Sequence, residues 1–173
     1  MRDNIAKTAI VTGASRGIGR ATALGLAADG FDIAAIAFND AEQLASLQAE
    51  VEALGRRCRV FDQNIADSAA LAPVLDAIEA HFGAIDCLVN NAGVSVLARG
   101  DLLDVSEASY DRCFDVNTRG TFFLTQAVAK RMLAGQEKPG IHRSIVFVTS
   151  SNAQAASVER GEYCMSKTAL HMA

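Results

Sequence analysis

Short runs of apolar residues alternate along this chain with stretches in which apolar positions recur every three or four residues. Thr8–Thr12 (TAIVT) is rich in β-branched residues and stops at Gly13, which predicts a buried strand. Ile18–Ala28 predicts a helix closed near Gly30. Asp32–Ala37 (DIAAIA) is a second strand run. Leu44, Leu47, Val51 and Leu54 then fall on one helical face, with Gly55 where a C-terminal cap belongs. Cys58–Phe61 predicts a third strand. Leu71, Leu75 and Ile78 mark another helix, with Gly83 past its end. Pro73 lies inside that pattern, and proline is tolerated only in the first turn, so this helix is expected to start later than Asp67 or to bend. Ile85–Asn90 (IDCLVN) predicts a fourth strand, Ser106–Ala134 one long helix before Gly135, and Ser144–Thr149 (SIVFVT) a fifth strand. Strands alternating with helices imply βαβ units and a parallel sheet covered on both faces. Right-handed crossovers make this a doubly wound α/β layer, with its ligand crevice at the carboxyl ends of the strands.

Composition narrows the setting. A chain of 173 residues suits one domain. The net charge is −4, and the densest basic group, Arg56, Arg57 and Arg59, reads as a solvated helix-to-strand connection. Nucleic acid and anionic membrane are therefore not expected partners. The four cysteines, Cys58, Cys87, Cys113 and Cys164, form no C-x-x-C pair and have apolar neighbours, as small buried hydrophobes do. His81, His142 and His171 have no metal-ligand spacing, so no metal is expected. The start, MRDNIAK, lacks a signal-peptide pattern and no apolar run is long enough to span a bilayer, which makes a reducing cytoplasm the expected compartment.

The first strand runs straight into Thr12-Gly13-Ala14-Ser15-Arg16-Gly17-Ile18-Gly19. Glycines allow backbone angles and close approaches that a Cβ would block. A tight turn opening a helix aims free N–H groups and the positive end of the helix dipole at an anion, here the pyrophosphate of a dinucleotide. The strand before the turn and the helix after it supply the context that a glycine triplet alone lacks.

Thr-Gly-x-x-x-Gly-x-Gly resembles the turn of the short-chain dehydrogenase/reductase family at every defined position. Asn90-Asn91-Ala92-Gly93, at the end of the fourth strand, resembles that family's second motif. Asn117 in the long helix, Ser150, and Tyr163-x-x-x-Lys167 thirteen residues after that serine follow in the family's order. GEYCMSK is most similar to the 3-oxoacyl-carrier-protein reductase members. The resemblance implies a Rossmann-type sheet, an NAD(P) cofactor, a carbonyl or alcohol substrate, and assembly into a homo-oligomer. It implies catalytic roles for Asn117, Ser150, Tyr163 and Lys167. Cofactor contacts are implied for Gly13, Ser15, Arg16, Gly17, Ile18, Gly19, Asn64, Ile65, Asn91, Ala92, Gly93, Tyr163 and Lys167, with Asn64 and Ile65 at the adenine. Asp86, ahead of LVNNAG, reads as a strand-start hydrogen-bonding group.

Hydride transfer to a ketone leaves negative charge on oxygen, which needs a proton donor and a hydrogen bond that strengthens as charge develops. Tyr163 is the candidate general acid, or the base for alcohol oxidation. A helical segment puts Lys167 on the same face, where its cation favours the phenolate. By resemblance, Lys167 also bonds the nicotinamide ribose. Ser150 would hold the substrate oxygen; the adjacent Ser151 competes for that role, and only the interval to Tyr163 favours Ser150. By resemblance, a water near Asn117 continues a proton relay from the lysine.

Between the two cofactors, NADP is expected and NAD is the alternative. About twenty residues past a glycine motif, NAD sites commonly place an acid on the ribose; here that point falls at Ala37 and Phe38. Asp40 could reach back only if the loop curls, whereas Arg16 inside the turn suits a phosphate. The chain stops within the helix that carries Tyr163 and Lys167, while family members continue with further strands and a substrate-covering segment. Residues 1–173 are thus expected to be a single dinucleotide-binding oxidoreductase domain that lacks its C-terminal strands. A catalytically silent dinucleotide sensor or scaffold, and a lyase or epimerase on the same fold, stay open as alternatives.

Overall fold

The side chains of a strand alternate between its faces, so a sheet covered by helices on both sides needs apolar residues at nearly every position. The computed structural model describes residues 6–135 and 138–173; residues 1–5, which include most of the stretch without a signal-peptide pattern, lie outside them. Strands β1 (Lys7–Thr12), β2 (Phe31–Ala37), β3 (Cys58–Asp62), β4 (Cys87–Asn90) and β5 (Ser144–Phe147) pair in parallel in the order β3-β2-β1-β4-β5. Helices α1 (Gly17–Ala28), α2 (Ala41–Ala53), α3 (Ser68–Phe82), α4 (Glu107–Cys113), α5 (Thr121–Ala134) and α6 (Gly161–His171) complete the doubly wound layer. Ala9, Val11, Ile33 and Ala35 face α1 and α2 through Ala23, Ala27, Leu44, Leu47 and Val51. Ile10, Ala34, Ile36 and Leu88 face α3 and α5 through Leu75, Ile78, Leu124 and Val128. The strand order reverses between β1 and β4, which puts the crevice expected for a ligand at the carboxyl ends of those two strands. No described helix is long and apolar enough to cross a membrane.

Three details refine or correct the reading of the sequence. First, α3 begins at Ser68, directly after Asp67, which is too early to bring Pro73 into the first turn. The Asp67 carboxylate accepts from the N–H groups of Ala69 and Ala70 at 3.2 and 3.3 Å, and this cap fixes the start although it leaves Pro73 in the second turn. Second, the long helix is interrupted: Phe114–Gly120 is π-helical between α4 and α5. The wider turn lets Gly120 press against the loop after β3, where a Cβ would stand 2.6 Å from the Ile65 carbonyl oxygen.

Third, Arg56 and Arg57 are not simply solvated. Asp32 at the start of β2 is buried, and Arg56 Nη2 donates to it at 2.6 Å, Arg57 Nε at 2.7 Å and Arg57 N–H at 3.0 Å. Arg59 donates to the Ala77 carbonyl at 3.3 Å. Asp86 does act at a strand start: it accepts from Thr8 N–H at 2.8 Å and from Lys138 Nζ at 2.7 Å. The four cysteines are free and buried, and burial pushes the Cys58 thiol up to about 12.

Burial pushes the Asp32 carboxyl upward, but the bonds from Arg57 and the charge of Arg56 outweigh it and hold it below the usual carboxylate range. Its stabilisation is therefore present above the unfolded value of about 3.9 and is lost as the pH falls through the lower folded one. Asp32→Asn should cost about 2–3 kcal/mol at pH 7. Urea titrations should find the gap to wild type narrowing below pH 4; a gap constant from pH 7 to pH 2 contradicts the assignment.

Candidate cofactor and active site

β1 ends at Thr12 and α1 starts at Gly17, so only four residues turn the chain. Gly13 (φ +63°) and Gly17 (φ +55°) adopt the left-handed conformation that side chains disfavour. Gly19 is required by contact instead: a Cβ there would lie 2.2 Å from the Gly13 carbonyl oxygen. The turn is locked to the loop after β4. Thr12 Oγ1 accepts from Asn91 N–H at 3.0 Å and Ala92 N–H at 2.9 Å, and donates to the Val89 carbonyl at 3.3 Å. In return Asn91 Nδ2 donates to the carbonyls of Thr12 and Gly13 at 2.9 and 3.2 Å. The two motifs thus form one hydrogen-bonded unit at the β1/β4 reversal.

A cleft of roughly 650 Å3 opens above this unit. Of the expected cofactor residues it is lined by Gly13, Ser15, Arg16, Asn64, Ile65, Asn91, Ala92 and Gly93; Gly17, Ile18 and Gly19 are not among the lining residues. Asp40, Gln63, Arg112 and Val116 also line it. The backbone of the turn is bare toward the cleft, which fits the close approach of a pyrophosphate. Ser15 is buried and its Oγ donates to Asp40 Oδ2 at 2.7 Å; the Arg16 side chain is 85% exposed.

The Tyr163–Lys167 pair lies on α6, as its spacing predicts. Lys167 is buried and donates from Nζ to the Val148 carbonyl at 3.1 Å; burial lowers its pKa by disfavouring the charged form. Gly93 makes room for this ammonium, since a Cβ there would lie 3.2 Å from Nζ and 3.3 Å from Asn117 Oδ1. Asn117 sits in the π-helical segment and is fully buried. It accepts from Val94 N–H at 2.8 Å and donates to the Val94 carbonyl at 3.0 Å and to Ser166 Oγ at 2.9 Å. Ser166 Oγ in turn donates to the Tyr163 carbonyl at 2.8 Å. Lys167, Gly93 and Asn117 are therefore brought together.

Tyr163 and Ser150 are placed differently. No hydrogen bond among the described residues joins them, and neither they nor Lys167 and Asn117 are among the residues lining the cleft. Ser150 follows β5 and its Oγ accepts from Asn152 N–H at 3.1 Å, capping a short 3-10 turn that begins at Ser151. Tyr163 is half-buried, with the Arg160 guanidinium 5.6 Å from its ring centre.

Sequence reasoning missed a second tie between α4 and α6. Ser109 Oγ donates to the buried Glu162 carboxylate at 2.6 Å and accepts from Leu97 N–H at 3.1 Å. Glu162 and Ser166 are four apart on α6, so Ser109 and Asn117 hold one face of the helix whose adjoining face carries Tyr163 and Lys167. The signal available was the polar pair Glu162 and Ser166 inside GEYCMSK, at helical spacing.

The chain is matched over residues 7–173 by the family model described as short chain dehydrogenase. It is 40% identical over 161 residues to a D-threitol dehydrogenase of Mycolicibacterium smegmatis, covering 93% of this chain and 59% of that protein. The chain thus spans about three fifths of the length of such curated relatives. Among solved structures it is similar to a 3-oxoacyl-[acyl-carrier protein] reductase from Brucella melitensis in complex with NAD, with TM-score 0.91 and 41% identity over 96% of this chain and 64% of that one. It is also similar to a short chain dehydrogenase from Burkholderia cenocepacia in complex with NADP, with TM-score 0.85 and 37% identity over 95% of this chain and 64% of that one. Matched by the family model over nearly its whole length, the chain belongs to the short chain dehydrogenase family.

Proposed function

We propose that this chain binds NAD(P) in the cleft above β1 and β4 and belongs to an oxidoreductase that moves hydride between that cofactor and a carbonyl or alcohol carbon. The observation that carries the reading is the bonded unit of Thr12, Gly13 and Asn91, with Lys167 buried against Gly93 beside it. When bound, the nicotinamide supplies or accepts the hydride. Ser15, Asn64, Ile65 and the turn from Gly13 to Gly19 bind the adenosine and pyrophosphate end. Tyr163 gives a proton from its hydroxyl to the developing alkoxide, or takes one from an alcohol. Ser150 orients the substrate oxygen. Lys167 holds a cation beside the Tyr163 face and bonds a ribose hydroxyl. Asn117 fixes the loop from Gly93 to Val94 against α6 and so sets where Lys167 points. The 3-oxoacyl reductase and D-threitol dehydrogenase relatives differ in substrate, so the substrate is assigned only as a carbonyl or alcohol. A reducing compartment suits the buried thiols, and assembly of several copies suits the exposed Tyr110, Phe122 and Phe123 along α4 and α5.

Tyr163→Phe removes one hydroxyl. Turnover of a ketone panel, followed by loss of reduced-nicotinamide absorbance, should fall about 10²- to 10⁴-fold while cofactor affinity stays within a few fold. Retention of more than about a tenth of wild-type turnover would refute the role of Tyr163, given that range. Arg16 supports NADP as the preferred cofactor. Its guanidinium would make a charge-assisted bond to the ribose phosphate worth about 1.5–3 kcal/mol, or roughly 10- to 150-fold. The ratio of kcat/KM for NADPH over NADH should fall toward unity in Arg16→Ala; an unchanged ratio rejects the contact.

A further inference from the structure

We propose that Arg112 lays its guanidinium over the adenine of the bound dinucleotide and so closes the Asn64–Ile65 end of the cleft. The inference rests on the dinucleotide reading above. Arg112 and Arg16 are the two cationic side chains among the described residues that line the cleft. Arg16 belongs to the glycine turn, whereas Arg112 stands on α4. Arg112 is exposed, and among the described residues it makes no hydrogen bond, ion pair or ring contact. The fold thus leaves a planar cation available at the cleft.

Its place along the cleft follows from the helix. Arg112, Val116 and Gly120 are four apart and succeed one another along one face of α4 and the π-helical segment. Gly120 presses on the loop after β3, where a Cβ would stand 2.6 Å from the Ile65 carbonyl oxygen. Val116 and Ala92 pack against the buried cluster that contains Ile65, and all three line the cleft. They make an apolar floor, and Arg112 comes one turn further out. The adjoining face carries Ser109, Cys113 and Asn117, all buried, with Ser109 and Asn117 bonded to α6. Arg112 is therefore presented from a fixed support.

The surroundings of the guanidinium select the adenine rather than a phosphate. A phosphate set against Ile65, Ala92 and Val116 would leave oxygens without donors, which is costly away from water. A purine has apolar faces that this floor satisfies. The opposite face of the ring then needs a flat partner that tolerates partial exposure. A guanidinium is planar, weakly hydrated and drawn to the π face of an aromatic ring. Arg112 thus acts through its plane, and a lysine at the same place would keep the charge but lose most of the contact.

The test is direct binding, which needs no turnover. Calorimetric Kd values for 5′-AMP, ADP and NAD+ are compared in wild type, Arg112→Ala and Arg112→Lys. Arg112 has no partner in the fold and alanine favours a helix, so unfolding temperatures should stay at the wild-type value. Arg112→Ala should weaken all three ligands by the same factor, about 5- to 30-fold, because each carries one adenine. Arg112→Lys should weaken them by more than about threefold, since the plane is lost. A factor that grows from AMP to ADP, or full affinity in Arg112→Lys, assigns the side chain to phosphate and overturns the stacking. A change below about twofold in Arg112→Ala overturns any role of Arg112 and leaves the dinucleotide reading standing, since a lost stack exceeds that. Wild type that binds none of the three ligands overturns both.

Discussion

The hydroxyl of Thr12 is the point on which the site depends. One oxygen receives two backbone N–H groups from the loop after β4 and gives its own proton to β4. In doing so it sets the distance between the two carboxyl strand ends that flank the reversal in strand order. Asn91 closes the arrangement from the other side, so its side chain cannot turn toward the cleft without unbinding two carbonyls. Backbone groups that would otherwise be unpaired at the edge of a buried sheet are satisfied within this unit, and such satisfaction is strongly enforced in protein interiors. From the turn, Gly13, Ser15 and Arg16 remain to line the cleft.

The side that carries Tyr163 and Lys167 is held by a separate set of bonds. Asn117 and Ser109 reach the loop after β4 on one hand and α6 on the other. Both anchors are buried, where a missing partner costs about 1–3 kcal/mol. The π-helical segment belongs to this scheme. It carries Asn117 and lets Gly120 touch the loop after β3 that holds Asn64 and Ile65. A single irregular segment thereby links the Asn64–Ile65 end of the cleft to the helix of Tyr163.

Most of the layer was legible because continuous apolar runs and period-3.6 patterns report burial directly. All five strands fall within two residues of their apolar runs, and the glycine turn is recognisable through its neighbours. What escaped was decided by contacts distant in sequence. The π-helical turn keeps the apolar spacing of an ordinary helix, and only Gly120 hints at it. Arg56 and Arg57 look solvated until β2 brings Asp32 beneath them, 24 and 25 residues away. Pro73 alone could not place the start of α3, which the Asp67 cap sets at Ser68. Asp40 could be suspected from sequence, but whether its loop curls depends on the left-handed Asn39, a conformation that asparagine tolerates better than most residues. The cofactor side of the site was therefore better marked than the Ser150–Tyr163 side, whose geometry depends on how α6 docks.

The four interior thiols have a practical meaning. Cys58 and Cys87 lie on β3 and β4, whereas Cys113 and Cys164 lie on α4 and α6. Sheet and helical face are thus each equipped with native reporters. With Cys58 pushed up to about 12, and burial raising Cys87 and Cys113 as well, an alkylating reagent meets little thiolate until a region opens. The speed at which each sulfur is modified then measures the local opening of its own element, so α6 and the sheet can be timed separately in a single sample.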